Sequence, residues 1–330
     1  MPSCKIFSVA WVAVLSLAPA MVSAQTGPAL LLKPLLSKDE FLEARAEAME
    51  FDKGRTDRSF GGGGAGDDDF RLSLYRTSGR LREQRENFIP RVGWDFNLYR
   101  LHTDARLPRE LMDSSVAIGL ELPTVSGWRG GLTVGVGYAG DKPFGEGDAW
   151  YGKATAIFGK DLDKYTTVAI VLDYDGSRPI LPDVPLPGIA YVHQYDPTLS
   201  YTIGFPLNSV RWRPSQVPNL TVEVNYLFWD TFTGFVDYEV VEHLVLFARV
   251  EADTRAFHVE QIPGNDRLLF EQRRAEIGVR FRPWEEAQIT AAVGYAWGGS
   301  FDRGFDYRDT DHITDISDEP YLRVGFETRF

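Results

Sequence analysis

The sequence predicts an all-β fold: a transmembrane, antiparallel up-and-down β-barrel of about 12 strands (range about 10 to 14) with a short N-terminal helix. Three observations predict it. Apolar and polar residues alternate with a period of two from Phe70 to Phe330, many alternating segments run nine or more residues, and the chain ends on an aromatic residue. Strands of that length suit a tilted crossing of a bilayer, which takes about 9–11 residues.

Residues 1–24 have the pattern of a signal peptide. Lys5 supplies a positive charge, Ile6 to Leu17 form a short apolar run, and Val22-Ser23-Ala24 places small residues where a signal peptidase cleaves. A buried helix or a membrane anchor is the alternative, but about 12 apolar residues are too few to span a bilayer. We therefore expect export, and because the single cysteine is Cys4, the exported chain would contain no disulfide.

Residues 25–69 are predicted to form a helix and a Gly/Asp-rich linker. Ser37 and Glu40 form a capping box. The apolar residues that follow recur at helical steps of three and four: Phe41, Ala44, Ala48 and Phe51. Gly61 to Gly66 and the three aspartates after them would be a solvated hinge. They do not form a phosphate loop, because no Lys-Ser or Lys-Thr pair follows and the aspartates would repel phosphate.

Residues 70–330 are predicted to form the barrel. In the segment 90–99, one face carries the apolar residues Val92, Trp94, Phe96 and Leu98, and the other carries polar or small residues. Further segments repeat this alternation at 116–122, 132–139, 220–228, 274–282 and 289–297. A tight turn is expected at 282–286 and a long polar loop at 298–319, while prolines blur the strand boundaries between 175 and 219.

Alternation alone does not decide which face meets water. A soluble β-sandwich buries its apolar face, whereas a membrane barrel turns that face outward. Strand length favours the barrel, as do the tryptophans near predicted strand ends, where an interfacial aromatic girdle would lie. These tryptophans are Trp128, Trp150, Trp212, Trp229, Trp284 and Trp297. Core tryptophans of a sandwich are the alternative.

Charge and composition exclude several classes of protein. The chain has 35 Lys+Arg against 47 Asp+Glu, a formal net charge of −12, so we expect no nucleic-acid partner. A hydrophobic content of 44% excludes a disordered chain. With one cysteine, no cysteine-built zinc site or iron–sulfur cluster can form.

The last segment, 321–330, is an amphipathic strand that ends at Phe330. It resembles the C-terminal strand of the outer-membrane β-barrel families of Gram-negative bacteria, and the whole chain most resembles their uncharacterised porin-like members. The resemblance implies that this strand is the signal read by the barrel-assembly machinery: Arg323, Gly325, Phe326 and Phe330 fit that pattern, and Thr328 departs from it. It also implies that the barrel lies in outer-membrane lipid, with residues 25–69 in the periplasm and the long polar loop outside the cell.

Few residues suggest catalysis or metal binding, so we expect no cofactor and no enzyme. The five histidines are scattered without metal-ligand spacing. His193 near Ser200 is the one candidate for a lipid hydrolase, and an interfacial histidine among aromatic residues is the simpler interpretation. An acidic stretch from Asp306 to Glu319 could collect divalent cations, but it lacks the ligand spacing of a calcium loop.

The strongest functional signal is a charged strand face. Facing lipid, an Arg or Lys would cost about 2–4 kcal/mol near the bilayer midplane, so these side chains must face the interior. The candidate pore-lining residues are Arg249, Glu251, Asp253, Arg255, Arg274, Glu276, Arg280, Arg282, Arg323, Glu327 and Arg329. They could line a water-filled pore for small polar solutes, the function we expect. Alternatively they could pair into salt bridges that fill a closed barrel with a structural or surface-binding role.

Overall fold

The computed structural model describes residues 42–58, 65–82, 90–103, 105, 107–227, 231–262 and 264–329. In these residues the chain forms 18 β-strand segments. They are β1 (Leu42–Phe51), β2 (Gly54–Arg58), β3 (Ala65–Arg82), β4 (Pro90–Thr103), β5 (Glu110–Val125), β6 (Trp128–Gly140), β7 (Trp150–Asp161), β8 (Thr166–Asp175), β9 (Leu186–Gln194), β10 (Leu199–Phe205), β11 (Leu207–Trp212), β12 (Leu220–Leu227), β13 (Thr231–Val241), β14 (Leu244–Phe257), β15 (Arg267–Trp284), β16 (Ala287–Asp306), β17 (Asp309–Ile316) and β18 (Glu319–Arg329). Within the same ranges, no helix is long and apolar enough to cross a membrane.

The segments close into an antiparallel barrel of 16 strands. The count is 16 because β1 and β2 run in line and both pair with β3, while β17 and β18 run in line and both pair with β16. The barrel closes where β1 pairs with β18, from Glu43 opposite Arg329 to Phe51 opposite Tyr321. The breaks in the two divided strands are adjacent, since the backbone N–H of Ser317 donates to the carbonyl of Arg55 at 2.9 Å.

The two ends of the barrel differ. Short turns such as Ser126-Gly127 and Glu285-Glu286 lie at the end where β1 begins and β18 ends, which we call the turn end. The opposite end, the loop end, carries longer connections such as 141–149 and 176–185. The wall is also uneven, because β15 and β16 have 18 and 20 residues whereas β10 and β11 have seven and six.

Apolar side chains face outward and polar ones face inward, as the sequence predicts for a transmembrane barrel. On the outer face, Val134, Ile277 and Leu322 are 57%, 64% and 61% exposed. On the inner face, Arg249 and Arg323 are only 6% and 4% exposed. Such a chain avoids exposing charge to lipid by closing the polar face on itself.

The prediction of about 12 strands is wrong. Three short strands, β9 to β11, occupy the proline-rich stretch that follows β8, and the prolines lie at strand ends or in connections, apart from Pro187. Residues 298–319, expected as one long loop, continue β16 to Asp306, turn at 307–308 and return as β17. Polar residues predominate in this hairpin, with Phe301 and Ile316 as buried apolar exceptions, and so it lacked the regular alternation that identified the other strands.

The predicted N-terminal helix is also wrong for the described residues, since 42–51 form β1 and 54–58 form β2. Glu and Ala favour helices intrinsically, but pairing of β1 with both β18 and β3 overrides that preference. The barrel therefore begins at Leu42 rather than at position 70, and the predicted linker is partly strand, because β3 starts at Ala65. The predicted signal peptide, residues 25–41 and the linker residues 59–64 lie outside the described residues.

Most of the predicted girdle tryptophans lie at strand ends. Trp128 and Trp150 begin β6 and β7, and Trp212 and Trp284 end β11 and β15. Trp297 lies within β16, because that strand continues to Asp306, and Trp229 lies outside the described residues. Trp150, Trp212 and Trp284 are 47%, 46% and 58% exposed, which suits side chains at a bilayer interface.

Candidate functional site: the barrel interior

Charged side chains from several strands form a chain of buried ion pairs inside the barrel. Arg323 on β18 lies between two carboxylates, Glu47 on β1 at 2.9 Å and Glu276 on β15 at 2.5 Å. Arg249 on β14 lies 3.9 Å from the same Glu276 and 2.5 Å from Glu251. Each arginine is therefore compensated by more than one acid, as buried charges require.

The ion pairs continue across the lumen. Arg76 on β3 lies 3.4 Å from Glu251 and 3.2 Å from Asp253, both on β14, although four strands separate β3 from β14 around the barrel. Arg255, also on β14, reaches Asp113 on β5 at 2.8 Å, with six strands between. These pairs join walls that face each other.

Backbone atoms join the same facing walls at the loop end. The N–H of His258, directly after β14, donates to the carbonyl of Ala139 on β6 at 3.0 Å. Strands β6 and β14 are opposite, eight positions apart in either direction around the ring of 16. This contact and the Arg255–Asp113 pair divide the interior into a charged half, enclosed by β14–β18 and β1–β6, and a small-residue half, enclosed by β6–β14.

An apolar core fills the charged half at the loop end. Tyr99 packs edge-on against Phe257 and Phe270, each with ring centroids 5.6 Å apart, and Phe270 stacks on Phe301 at 5.0 Å. These rings are at most 4% exposed. The charged half is therefore occupied by its own side chains, aromatic at the loop end and ionic below.

The small-residue half has a different lining. Its inward positions are mostly glycine, alanine, serine, threonine and valine, including Thr133, Thr155, Ala169, Val171, Ala190, Val192, Ser200, Thr202 and Ser209. Its charges are held in pairs along the wall, such as Lys153 with Asp175 at 2.9 Å. Short side chains fill less of a barrel than the arginines and aromatic rings opposite.

The loop 176–185 crosses the mouth of the barrel. The N–H of Leu181 donates to the Asp306 carboxylate at 3.3 Å, and the N–H of Tyr307 donates to the carbonyl of Pro179 at 2.9 Å. The loop follows β8 and its partners lie at the tip of β16, on the opposite side of the ring. The tall wall and this loop together form a bridge over the loop end.

The structure brings most of the sequence-predicted site residues together. Those within the buried ion-pair chain are Arg249, Glu251, Asp253, Arg255, Arg274, Glu276, Arg323 and Glu327. Arg280 pairs with Asp237 on β13 at 2.8 Å. Arg282 and Arg329 are exposed at the turn end instead, where Arg329 lies 2.8 Å from Glu327.

Several interior residues were missed by the sequence analysis. Arg45 and Glu47 were assigned to a helix, and Arg76 and Asp113 carry no local signal that they would face β14. The alternation of Glu43, Arg45 and Glu47 with alanines could have identified β1 as a strand. Of the predicted assembly signal, Gly325 faces inward beside Glu47 and Phe326 faces outward, whereas Phe330 lies outside the described residues.

The hydrolase alternative is not supported by geometry. His193 stands opposite Tyr201, and Ser200 stands opposite Gln194, in the pairing of β9 with β10. Ser200 is 5% exposed and faces inward, whereas His193 stacks on the outward ring of Tyr191, with centroids 5.8 Å apart. The two side chains lie on opposite faces of the sheet, so the serine cannot use this histidine as its base.

One cluster of possible metal ligands joins distant parts of the sequence. Ligand atoms of Asp57, His312 and Asp315 lie within 4.8 Å of one another at the exposed rim. His312 also lies 2.9 Å from the Asp302 carboxylate. The spacing of residues in the sequence does not reveal this group, because Asp57 lies more than 250 residues before His312 and Asp315. These exposed side chains already have protein partners: His312 lies 3.7 Å from the Asp315 carboxylate, and the hydroxyl of Thr314 donates to the Asp57 carboxylate at 2.8 Å. We therefore assign no cofactor to this group.

Comparison with known proteins identifies similar barrels but no family. No protein-family model and no curated protein matches the sequence. An outer membrane channel from Pseudomonas putida F1 is 11% identical, with a TM-score of 0.39, covering 89% of this chain and 97% of its own. The Pseudomonas putida toluene transporter TodX is 8% identical, with a TM-score of 0.40 and coverages of 88% and 90%. Pseudomonas aeruginosa OccK7 is 10% identical, with a TM-score of 0.40 and coverages of 88% and 100%.

Proposed function

We propose that this chain is an outer-membrane β-barrel channel that passes small polar solutes passively through its small-residue half. The apolar outer face supports insertion in a bilayer, and the predicted signal peptide and C-terminal strand support the outer membrane and the barrel-assembly machinery as its site and its partner. The observation that carries the proposal is the division of the lumen by the Arg255–Asp113 pair and the His258–Ala139 hydrogen bond.

The division sets the expected size of the passage. A water-filled barrel of about 16 strands holds a wide channel, whereas one of about eight fills with its own side chains. Here one half is filled by ion pairs and aromatic rings, which leaves the half between β6 and β14 as the route. The charged residues would then stabilise the wall of the passage rather than line it.

Single-channel recording in planar bilayers tests this proposal. Wild-type protein should show a conductance well below that of a water-filled 16-strand porin. The double variant Arg255→Ala/Asp113→Ala removes the cross-lumen pair together, and its conductance should rise. The matched control Arg100→Ala/Glu110→Ala removes a 3.2 Å pair on the outer face of the adjacent strands β4 and β5, and it should leave the conductance unchanged. A wild-type protein with no conductance at any voltage would refute the channel.

The second candidate function is a closed barrel with a structural or surface-binding role. It is favoured by the continuous ion pairs through Arg249 and Glu276. The conductance of the wild-type protein separates the two functions, because the channel conducts through its small-residue half and the closed barrel does not conduct. The double variant Arg249→Ala/Glu276→Ala tests the role of the charged residues in either case. If they line a pore, its conductance or ion selectivity changes; if they fill a wall, the change lowers stability alone.

A further inference from the structure

The barrel wall is lowest at β10 and β11. These strands have seven and six residues, and Pro206 alone connects them at the loop end. At about 3.3 Å per residue and a tilt of about 40°, seven residues rise about 18 Å along the barrel axis. The apolar band of such a barrel is about 25 Å tall, so the wall at Pro206 ends within the outer half of the bilayer.

The outer face of this low wall is mostly apolar, with Asn208 as the polar residue beside the rim. Ile203 on β10 and Val210 on β11 are 61% and 48% exposed, and Ile189 on the neighbouring β9 is 58% exposed. Acyl chains would therefore contact the wall up to Pro206.

The inner face changes from polar to apolar towards the same rim. Near the turn end, Arg211 on β11 faces Glu223 on β12, with 3.7 Å between their charged atoms. At the rim the same strand pair places Leu207 opposite Leu227. The adjoining inward positions on β9 and β10 are Ala190 and Gly204. At a rim that met only water, the two leucines would cover each other and leave the rest of their surface exposed, whereas acyl chains reaching the rim would bury that surface as well.

The axial route above this rim is partly covered. The loop 176–185 leaves the wall beside β9 and crosses to the tip of β16, where the N–H of Tyr307 donates to Pro179. The tall strands β15 and β16, which lie four to six positions around the ring from β10 and β11, hold the other end of this bridge. The lowest part of the wall therefore lies beside a loop end that the loop 176–185 partly covers. The gap between the wall and this loop opens towards the bilayer rather than along the barrel axis.

We propose that the gap above Pro206 is a lateral opening between the barrel interior and the outer leaflet of the bilayer, and that it passes small solutes combining a polar group with an apolar part. The polar group suits the serine and threonine lining below, and the apolar part suits Leu207, Leu227 and the acyl chains beyond. The solute class rests on the proposed function, whereas the opening itself does not require that any solute be transported.

Cysteine labelling in proteoliposomes tests the opening directly. The only natural cysteine is Cys4, in the predicted signal peptide, so one introduced cysteine would be the only thiol of the mature chain. Leu207→Cys places a thiol on the inner side of the rim. Ile203→Cys, on the outer face, is the lipid-exposed control, and Ala117→Cys, an inward residue of β5 that is 2% exposed, is the buried control.

Two reagents distinguish the routes: a maleimide carried on a phospholipid acyl chain, and a charged, water-soluble thiosulfonate. Leu207→Cys should react with the acyl-chain maleimide at a rate similar to that of Ile203→Cys, while Ala117→Cys should not react. Reaction of Leu207→Cys with the water-soluble reagent alone would overturn the lateral opening in favour of an axial mouth. Reaction with neither reagent would overturn it as well. Heat-modifiable migration on a gel verifies that each variant is folded.

The solute class is tested by protection. Hexyl glucoside, at a concentration that leaves the vesicles intact, should slow labelling of Leu207→Cys but not of Ile203→Cys, whereas glucose should slow neither. Equal labelling of Leu207→Cys with and without hexyl glucoside would overturn the solute class. Absence of conductance together with lipid-side labelling of Leu207→Cys would refute the channel and leave the opening in place, so the two failures are distinguishable.

Discussion

The phenol ring of Tyr151 lies over Gly137, its partner on the neighbouring strand, and its hydroxyl donates a hydrogen bond to the Asp113 carboxylate at 3.0 Å. A Cβ atom at position 137 would stand 2.2 Å from Cζ of that ring. The same arrangement recurs where Tyr321 covers Gly294 and donates to Glu276 at 3.0 Å. Each missing side chain lets a tyrosine lie against the wall and hydrogen-bond to an acid of the ion-pair chain.

Gly137→Ala should therefore destabilise the barrel by about 1–3 kcal/mol, because the ring must leave the wall and its hydroxyl must leave Asp113. Gly159→Ala is the matched control. Its added Cβ would lie 3.6 Å from the nearest atom, an ordinary contact, so it should be tolerated. The temperature at which the heat-modifiable gel band shifts measures the stability of both variants. An equal fall of this temperature in the two variants would contradict the proposed role of Gly137 in making room for Tyr151.

Arg323 is the arginine whose loss should be most costly. Arg323→Met leaves the buried carboxylates of Glu47 and Glu276 without their shared partner, which we expect to lower the free energy of unfolding by about 3–5 kcal/mol. Arg329→Met, on the same strand, removes an arginine whose side chain is 64% exposed, and it should change stability by less than about 1 kcal/mol. Urea unfolding from lipid vesicles measures the free energy of unfolding of both variants. Similar decreases in the two would show that the burial of Arg323 is not the reason for its contribution.

Strand orientation could be predicted from the sequence because it depends on a local pattern with a large physical cost. Arg249, Glu251 and Asp253 alternate with small apolar residues, and only an inward position spares them from lipid. The same logic failed for β17, whose first four residues are exposed on both faces and whose only buried residues are Thr314 and Ile316, near its end. It failed for β1 because alternating Glu and Ala also fit a helix.

The partners of the charged residues could not be predicted in the same way. Arg255 meets Asp113 because barrel closure brings β14 and β5, with six strands between them, within reach of one arginine side chain. Which strands face each other depends on the total number of strands, and no local segment of the sequence determines that number. The predicted count of about 12 strands places different strands opposite each other than the observed 16 do. The division of the lumen between β6 and β14 could therefore not be predicted.

Ile277 tests whether the outer face lies in hydrocarbon. It is 64% exposed near the middle of β15, between Arg273 and Phe281. Ile277→Lys should cost about 2–4 kcal/mol in the free energy of folding into vesicles, as expected for a lysine at the midplane. Phe305→Lys, near the exposed tip of β16, is the control, and we expect a much smaller effect because that position lies beyond the bilayer. A harmless Ile277→Lys would place this face in water and contradict the transmembrane assignment.

The loop 141–149 should respond to pH. Burial raises the pKa of the Asp141 carboxyl above its ordinary value of 3.8. Burial, and then the charge of Asp141, raises the pKa of Glu146 above 4.5. Lys142 pairs with Glu260 of the facing loop and supplies the neighbouring positive charge. The ordered loop therefore binds protons more tightly than the disordered one.

The raised pKa values of Asp141 and Glu146 make the ordered loop more stable at low pH than at high pH. The contribution of the two carboxyls to loop stability is complete below their ordinary pKa values and is lost as the pH rises through the raised ones. Amide hydrogen exchange of residues 141–149, corrected for intrinsic rates, should show greater protection at pH 4.5 than at pH 7.5. Asp141→Asn removes one titrating group and the charge that acts on Glu146, so its protection should differ much less between the two pH values. Protection that increases with pH in the wild type would contradict this account, because it would mean that the ordered loop favours the two ionised carboxylates.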